Sequence, residues 1–431
     1  MKLKSTYLPA FAFAALASTL IPAAADVVTD WNQITVTATK TGGLNSNLGT
    51  RIGAIESIAV YDAVNSILQF GTPYHYNVSP AGPASAEAAA AQAAHDVLVN
   101  YFPAQTTALD SNLTYSLSFI ADGAAKDNGR AVGASAAADI VALRASDGSV
   151  PNVTYPGPIT PGVGDWRPTP SAFANGINQQ WGSVTPFVLP SSDVFRPDAP
   201  PAVGSWKYKK ALAEVAAIGS VSNNVRSVEQ THIAQFYKQD AELPVNEAAR
   251  TLSAKYDLSL EENALLFALV DIAVADARIA IWDAKYEYLF WRPVTALNAN
   301  EDGSVTNGYA NWLPLLATPA HPSYPSGHSG TLNAGFEVLQ AFFGDKQTLT
   351  LSTTTAGEPP RTIKRLSQVE TENGLSRIYG GIHYSFDNEV GQRVGNKVAA
   401  YVLRFGPRSL AEDGKGRGLG HLRESDQQGK N

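Results

Sequence analysis

Three short clusters of basic, histidine and hydroxyl residues follow one another between Trp282 and Asp387. They are Lys285 with Arg292-Pro293, then Pro325-Ser326-Gly327-His328, then Ser376-Arg377 with His383 and Asp387. Together they supply permanent cations, a hydroxyl, a glycine amide and two imidazoles. Cations and backbone amides bind oxyanions, and imidazoles transfer protons near neutral pH. The clusters therefore predict a site that holds a tetrahedral oxyanion and performs chemistry on it.

The first cluster contains two cations with helical spacing. Lys285 and Arg292 are seven residues apart, which on a helix returns to nearly the same face two turns along. We expect one helix to carry both, beginning with a capping box at Ser259 and Glu262 and running to about Arg292. Trp282 would then wall the same pocket. Taken alone, the pair also fits a solvated charged face beside a core tryptophan.

The second cluster directly precedes a strongly helical stretch, residues 331–343. Ser326 is placed to cap that helix, and free amides at a helix N-terminus, such as that of Gly327, attract anions. His328 would lie just inside this anion site, where an imidazole can act as an acid or base. A tetrapeptide of this kind does not by itself establish catalysis.

The third cluster pairs a histidine with an acid one helical turn later. Gly380 and Gly381 predict a turn between Arg377 and His383. If His383 opens a helix, Asp387 can accept a hydrogen bond from one ring nitrogen. The other nitrogen is then aimed as a nucleophile or a metal ligand. The alternative for this cluster alone is a surface histidine–aspartate pair.

Composition limits the classes of protein that fit. The chain has 431 residues, of which 44% are hydrophobic, so it can bury a large core. Its net charge of −7 offers no basic surface for nucleic acid or anionic lipid. With no cysteine, disulfides, metal thiolates and a cysteine nucleophile are excluded.

The first 25 residues have the pattern of a secretory signal peptide. Lys2 and Lys4 precede an apolar run from about 7 to 21, and small residues follow up to Ala25. We expect cleavage after Ala25 and an exported protein, periplasmic or secreted. A short membrane anchor is the alternative. No later stretch reaches the ~18 apolar residues of a transmembrane helix, so the mature protein is expected to span no membrane. The sequence does not indicate the oligomeric state.

Helical periodicity dominates both halves of the chain and predicts an all-α fold of two packed helical bundles, with the active site in the C-terminal bundle. Residues 26–205 form the N-terminal domain, 206–406 the catalytic bundle and 407–431 a polar, frayed tail. His95 and His232 are expected to be structural. The predicted helical segments are 51–70, 85–101, 106–126, 130–144, 206–218, 227–237, 259–292 and 331–343, with a row of valines and small residues (390–402) that favours close helix packing.

Residues 147–205 interrupt the helices with many prolines, glycines and single aromatic residues. The aromatic residues require burial, which argues against a disordered linker. A strap that covers the pocket mouth and a plain interdomain connection are both compatible with this composition. The aromatic residues are Trp166, Phe173, Trp181, Phe187 and Phe195.

In order and spacing, the three clusters resemble the signature shared by vanadium-dependent haloperoxidases and the type 2 phosphatidic acid phosphatase superfamily. Each fixed position of the signature is present, across roughly the last third of the chain. Surrounding segments, including 164–168 and 195–201, look like the long bacterial haloperoxidase-type members.

The resemblance implies roles for the matching residues. Lys285, Arg292 and Arg377 would neutralise the oxygens of vanadate or phosphate, with help from Ser326 and the amide of Gly327. His383 would bind vanadium in a haloperoxidase, or attack phosphorus to give a phosphohistidine in a phosphatase. Asp387 would orient His383, and His328 would be the acid–base residue. One site serves both reactions because vanadate mimics the phosphoryl-transfer state.

For a haloperoxidase, the resemblance implies a vanadate cofactor with hydrogen peroxide and a halide as substrates, hypohalous acid as product, and Lys285 polarising the peroxide. His321 matches a second histidine of bromide-oxidising relatives, which favours bromide or iodide and places His321 with Trp282 in the halide pocket. A structural role for His321 is the alternative.

Two other functions remain compatible with the sequence. The first is an exported acid phosphatase or phosphoesterase that uses no cofactor and binds phosphate as a substrate group. The second is a non-catalytic oxoanion-binding protein, which would need the cations but not His328. The length of the chain and its extra N-terminal half favour the haloperoxidase type.

Overall fold

The structure is a computed structural model that describes residues 26–222, 225–305 and 308–410. The predicted signal peptide and residues 411–431 of the predicted tail lie outside these ranges. None of the helices in the described ranges is both long enough and apolar enough to cross a lipid bilayer.

The N-terminal half is a helical bundle around a central helix whose side chains are buried almost throughout its length. Asn45 caps that helix through its side chain, as Ser85 caps the next one. The helices of this half are α1 (Val27–Thr41), α2 (Ser46–Leu68), α3 (Ala86–Tyr101), α4 (Thr106–Ser118) and α5 (Ala124–Leu143).

The C-terminal half is a second bundle, with a two-stranded antiparallel ribbon on its outside. Its elements are α6 (Trp206–Ile218), α7 (Val228–Phe236), α8 (Glu242–Tyr256), α9 (Leu260–Tyr288), α10 (Pro293–Ala296), α11 (Gly327–Phe343), β1 (Leu349–Leu351), β2 (Arg361–Ile363), α12 (Leu366–Tyr379) and α13 (Ser385–Phe405). The all-α class and the two packed bundles are thus as predicted. The sequence patterns missed α1, α8, α10, α12 and the short ribbon.

Helix α9 joins the two bundles. Each residue from Asn263 to Trp282 is buried, which places this stretch inside the core on all of its faces. It packs against α2 of the first bundle and against α11 and α13 of the second. One continuous hydrophobic core therefore runs through both halves.

Two predicted helices end earlier than expected. The prediction that α9 reaches Arg292 is wrong: the helix ends at Tyr288, Leu289 adopts a left-handed conformation, and Arg292 is extended (φ −82°, ψ 155°). Pro293 is the physical reason, since a proline disfavours the helical conformation of the residue before it. Likewise α4 ends at Ser118 rather than continuing to 126, and Gly123, with φ 138°, begins the turn into α5.

Close packing of α11 on α13 depends on glycine, as predicted. A Cβ atom on Gly395 would lie 2.3 Å from the carbonyl oxygen of Gly330, and one on Gly391 would lie 2.5 Å from that of Ser326. The valine row of α13 is buried beside them. This contact fixes the start of α11 against the start of α13, where the second and third sequence clusters lie.

The 147–205 segment is a packed strap anchored on α9. Asp276 of α9 accepts hydrogen bonds from the amides of Phe187, Val188 and Leu189 at 2.6–3.0 Å. Four of its five predicted aromatic anchors are buried or partly buried, but Phe173 is exposed.

Residues 407–410, predicted to be frayed, instead pair with the chain after α2. The Thr72 amide donates to the Arg408 carbonyl oxygen at 2.9 Å.

Buried acids lie where the two bundles meet and provide a stability test. Glu56 of α2 is 2% exposed, and burial, with the nearby Asp271 carboxylate, raises its pKa to about 8. The pKa of Glu56 is higher in the folded protein than in the unfolded chain. The contribution of the protonated Glu56 side chain to the free energy of unfolding is therefore fully present at acid pH and is lost as the pH rises toward 8. Glu56→Gln should therefore be more stable than the parent protein by on the order of 3 kcal/mol at pH 7, and equal to it near pH 4.

Thermal denaturation between pH 4 and 8 measures this difference. Glu214→Gln, at an exposed position on α6, serves as the control and should show no such pH-dependent gain. A Glu56→Gln protein that is less stable than the parent at pH 8 would contradict the assignment.

Candidate functional site

The three sequence clusters converge on one cavity of about 290 Å³ between the two bundles. Its walls include Trp282, His321, Gly327, His328, Arg377 and His383. The other predicted residues stand behind this wall, where Lys285, Arg292, Ser326 and Asp387 are fully buried. The C-terminal bundle supplies all the predicted residues.

Lys285 and Arg292 are brought together by the loop before α11 rather than by a shared helix face. The Lys285 ammonium donates to the carbonyl oxygens of Pro322 and Ser323 at 2.7 and 3.0 Å. The Arg292 guanidinium donates to the carbonyl oxygen of His321 at 2.9 Å. Adjacent carbonyls of one loop therefore hold both cations.

The three cations form a buried concentration of positive charge. Within the described residues, no aspartate or glutamate oxygen is within ion-pair distance of Lys285, Arg292 or Arg377. Burial lowers the pKa of Arg292 to about 10 and that of Arg377 to about 9, with Arg292 contributing to the second shift. Burial and Arg292 also lower the pKa of Lys285 well below its usual range. Buried cations without carboxylate partners are costly unless an anion joins them, so this charge distribution fits an oxyanion.

His383 is held in one tautomer by the predicted contact with Asp387. Its Nδ1 lies 2.8 Å from Oδ2 of Asp387, although His383 precedes Tyr384, the N-cap of α13, and so lies just outside the helix. Asp387 also accepts from the Ser323 hydroxyl at 2.5 Å. The carboxylate accepts from Nδ1–H, which leaves a lone pair on Nε2, now 3.0 Å from Nη1 of Arg292. Nε2 is therefore the nitrogen available to attack or to coordinate.

The electrostatic surroundings keep His383 neutral. Burial and then the charges of Arg292 and Lys285 lower its pKa well below the usual range. Burial raises the pKa of Asp387 to about 6, while Ser323 and Lys285 act in the opposite direction. At neutral pH the pair is thus a carboxylate beside an uncharged imidazole, the form that can donate a lone pair.

His328 is poised for proton transfer. Its Nε2 lies 3.1 Å from the carbonyl oxygen of Gln239, which can only accept, so Nε2 carries the proton and Nδ1 has the lone pair. Burial and the charge of Arg377 lower the pKa of His328 well below its usual range.

The start of α11 has the predicted form. Ser326 is its N-cap and accepts from the amide of Ser329 at 3.4 Å and from the Ser329 hydroxyl at 2.8 Å. The hydrogen of the Ser326 hydroxyl remains available for donation to an anion. A Cβ atom on Gly327 would lie 3.2 Å from the Trp282 ring, so a larger residue at this position would require the indole to shift by a few tenths of an ångström.

Trp282 and His321 are neighbours, with ring centroids 4.9 Å apart. Nδ1 of His321 lies 3.0 Å from Nη2 of Arg292, which can only donate, and 3.2 Å from the carbonyl oxygen of Pro322, which can only accept. These contacts favour opposite tautomers, and the shorter one, to Arg292, places the lone pair on Nδ1 and the proton on Nε2. Burial and Lys285 lower the pKa of His321 well below its usual range. His321 is therefore a neutral imidazole with a structural bond to Arg292 and a place in the cavity wall.

Several cavity residues were missed by sequence reasoning. Most belong to the N-terminal half or to loops, where no motif marked them: Asn45, Ser46, Asn47, Ile177, Asn178, Lys238 and Asp240. Arg278 also lines the cavity, and its position was detectable, because it precedes Trp282 by one turn of α9 and Lys285 by two. Ile177 and Asn178 belong to the 147–205 segment, so that segment covers the pocket rather than only joining domains.

Anion binding should raise the pKa of His328. The cations that lower it, Arg377 foremost, would be partly neutralised by bound phosphate, so protonation of the imidazole becomes less costly. In histidine-selective NMR titrations, phosphate should raise the pKa of His328 by on the order of 1 or more. The remote His95, bonded to Asp96 and Asp110, should titrate identically with and without phosphate. An unchanged His328 would place the anion elsewhere.

Comparison with known proteins shows what the chain is similar to. Residues 265–411 match the family described as the VCPO second helical-bundle domain. The vanadium chloroperoxidase of Curvularia inaequalis is 30% identical over 155 residues, which are 34% of this chain and 23% of that protein. The chain thus matches only about a quarter of the length of this relative.

Among solved structures, a bacterial vanadium-dependent iodoperoxidase superimposes with a TM-score of 0.76 at 25% identity, covering 89% of this chain and 97% of the other. The holo form of a bacterial vanadium-dependent chloroperoxidase gives a TM-score of 0.68 at 18% identity, covering 84% and 92%. The second likeness concerns the fold alone.

The iodoperoxidase likeness extends over both bundles, and the matched segment contains all three clusters that meet at the cavity. The chain belongs to the superfamily of vanadium-dependent haloperoxidases and type 2 phosphatidic acid phosphatases.

Proposed function

We propose that this protein is a vanadate-dependent haloperoxidase that oxidises bromide or iodide with hydrogen peroxide to hypohalous acid. The observation that carries the proposal is the buried group of Lys285, Arg292 and Arg377, without carboxylate ion pairs in the described residues, around the neutral imidazole of His383. This arrangement suits a multiply charged oxyanion that also accepts one nitrogen ligand.

The residues would hold vanadate in distinct ways. Lys285, Arg292 and Arg377 would neutralise its oxygens, with the Ser326 hydroxyl and the Gly327 amide as further donors. Nε2 of His383 would be the single protein ligand to vanadium, with Asp387 fixing the ring. Bound vanadate supplies activation of peroxide toward halide without a change in its own oxidation state.

Two residues would assist turnover, one by withdrawing charge from peroxide and one by transferring protons. Lys285 is held by two backbone carbonyls, so its third hydrogen can point at a bound peroxide oxygen and withdraw charge from it. His328, with its Nδ1 lone pair, would take up and return the protons that peroxide and product exchange.

His321→Phe tests the halide preference. If the His321 imidazole favours the heavier halides, the variant should oxidise bromide and iodide less well, relative to chloride, than the parent protein does.

The likeness to an iodoperoxidase adds support for a heavy halide, since that structure matches 89% of this chain and both of its bundles. The Trp282–His321 pair presents an indole and an imidazole N–H in a small buried cavity. Larger halides are less strongly hydrated and are oxidised at lower potential, which agrees with the same preference.

The second candidate is an exported phosphatase. The same neutral Nε2 of His383, oriented by Asp387 at 2.8 Å, could attack phosphorus within the same cations. A non-catalytic oxoanion-binding protein would not need His328, so His328→Ala should leave such a protein's anion affinity unchanged with no turnover to lose.

The deciding experiment is turnover by the purified mature protein with and without orthovanadate. Halogenation of a phenolic dye with bromide or iodide and peroxide should require vanadate, and any hydrolysis of an aryl phosphate should be confined to vanadate-free protein. Phosphate release that vanadate inhibits, without halogenation at any peroxide concentration, would overturn the proposal in favour of the phosphatase.

We also propose that the protein is exported and that residues 1–25 are removed. Asp26 caps α1 by accepting from the Val28 amide at 2.7 Å, so cleavage after Ala25 leaves the first helix with its N-cap. N-terminal sequencing of protein recovered outside the cytoplasm should begin at Asp26. Recovery of a cytoplasmic protein that retains residues 1–25 would contradict this.

A further inference from the structure

The segment between α7 and α8 contacts the site through its backbone. The carbonyl oxygen of Gln239 lies 3.1 Å from Nε2 of His328. The carbonyl oxygen of Tyr237 accepts a hydrogen bond from Nη2 of Arg377 at 2.6 Å. The orientation of two residues of the site therefore depends on where these two carbonyl groups lie.

A second segment, residues 352–355 after β1, holds the end of α7 without lining the cavity. The last carbonyl groups of a helix have no partner within the helix. At the end of α7, the Thr353 hydroxyl donates to the carbonyl oxygen of Phe236 at 2.8 Å, and the Thr355 hydroxyl donates to that of Gln235 at 2.9 Å. The 352–355 segment thus fixes the end of the helix from which the two site carbonyls follow.

The side chain of Gln239 is bound to the same outer segment. Its NH₂ group donates to the carbonyl oxygen of Ser352 at 3.1 Å, and its amide oxygen accepts from the backbone amide of Thr354 at 3.0 Å. Because the Ser352 carbonyl can only accept and the Thr354 amide can only donate, the orientation of the Gln239 amide is fixed by chemistry. Gln239 is 7% exposed, so both ends of a buried amide are paired.

The backbone of His328 is fixed independently of this contact. His328 lies in the first turn of α11, and its carbonyl oxygen accepts from Nδ2 of Asn373 at 3.1 Å. Rotation of the imidazole about its side-chain bonds is the freedom that remains. The contact of Nε2 with the Gln239 carbonyl oxygen restricts that rotation.

We propose that Gln239 is a positioning residue for His328. Its carbonyl oxygen selects the tautomer with the proton on Nε2 and the lone pair on Nδ1, and its side chain, bound to residues 352–354, keeps that oxygen in place. A proton-transferring imidazole must present the correct nitrogen to the reacting oxygen. The role in turnover rests on the proposed function, whereas the selection of the tautomer rests on the contacts alone.

Nitrogen-15 NMR of the vanadate-free protein tests the positioning without turnover. The two ring nitrogens of a neutral histidine differ in chemical shift according to which of them carries the proton, and His328→Ala identifies the His328 signals by their loss. The parent should show one tautomer, with Nε2 protonated. Gln239→Met keeps the length of the side chain but loses both amide bonds, and it should give a mixture of tautomers. A folded Gln239→Met protein that keeps the parent tautomer would overturn the proposal.

Bromination at saturating vanadate tests the consequence for turnover. In Gln239→Met, kcat should fall about tenfold, as when an outer hydrogen-bond partner of a functional histidine is removed. Vanadate affinity and KM for peroxide should change much less, because Tyr237, whose carbonyl group holds Arg377, has its own anchor: its hydroxyl donates to Glu372 at 3.1 Å. A changed tautomer with unchanged kcat would also overturn the proposal.

Gln180→Met is the matched control. The Gln180 amide makes the same pair of bonds within the 147–205 segment, donating to the Ser149 carbonyl oxygen at 3.0 Å and accepting from the Val153 amide at 2.8 Å. This variant loses as many hydrogen bonds as Gln239→Met but should keep the parent tautomer of His328 and the parent kcat. Equal changes in both variants would show a general loss of structure and overturn the proposal.

Thr353→Val tests the outer segment itself and decides the question if Gln239→Met does not fold. It is nearly isosteric and removes only the bond to the Phe236 carbonyl oxygen, so it should change the tautomer and kcat in the same direction by a smaller factor. A parent protein that shows the expected tautomer change in its variants but does not halogenate would refute the proposed function alone. One that halogenates without any tautomer change in its variants would refute the positioning role alone.

Discussion

His383→Ala should abolish vanadate-dependent halogenation. We expect kcat to fall by more than about 10³-fold, which lies within the range that positioned imidazoles contribute to reaction rates. The physical reason is that Nε2 of His383 carries a free lone pair. The 2.8 Å contact between Nδ1 and Asp387 orients the ring, and burial and nearby cations keep Nε2 unprotonated. Alanine removes both the ligand and the ring that Arg292 contacts at 3.0 Å.

The measurement is steady-state bromination at saturating vanadate, together with vanadate affinity by calorimetry. Added imidazole should restore part of the lost activity, because the deleted ring leaves a cavity of its own shape. Asp387→Asn should cost less, about 10–100-fold, since it alters a residue that orients the ligand. His75→Ala, which changes a histidine whose side chain is 48% exposed, serves as the control. A His383→Ala enzyme that keeps a tenth of its turnover would show that the ring is not the ligand.

Arg377→Met should weaken binding of vanadate or phosphate by about 30-fold to several thousand-fold, the cost of truncating one partner of a buried charge pair. Arg377 is 2% exposed and is held by the Tyr237 carbonyl oxygen at 2.6 Å and the Ser376 hydroxyl at 3.0 Å. These bonds fix the plane of the guanidinium before any anion arrives, so little ordering remains to be done on binding.

A comparison with Arg377→Lys separates charge from geometry. Lysine restores the charge but not the planar fork, so its affinity should fall between those of the parent and Arg377→Met. Isothermal titration with phosphate and with vanadate measures both variants, and circular dichroism reports whether each is folded. Equal affinities in the parent and a folded Arg377→Met would remove Arg377 from the anion site.

The C-terminal site was predictable from sequence because its residues sit at fixed positions relative to helix boundaries. Ser326 caps α11 and Asp387 meets His383 as local spacing indicates, since both contacts lie within one helical turn. The pairing of Lys285 with Arg292 was predicted for the wrong reason. Pro293 ends the helical conformation, and the two cations meet only because the loop carbonyls of residues 321–323 hold them both.

The sequence by itself determined the helical class and the cations, hydroxyl and histidines that meet at the cavity, because helix periodicity, capping and short motif spacing are local properties. Only the tertiary structure decided which residues of the other bundle line that cavity. Asn47 and Arg278 are 231 residues apart, and their contact depends on how α2 packs on α9. That packing is set by burial across the whole core, which no local pattern encodes.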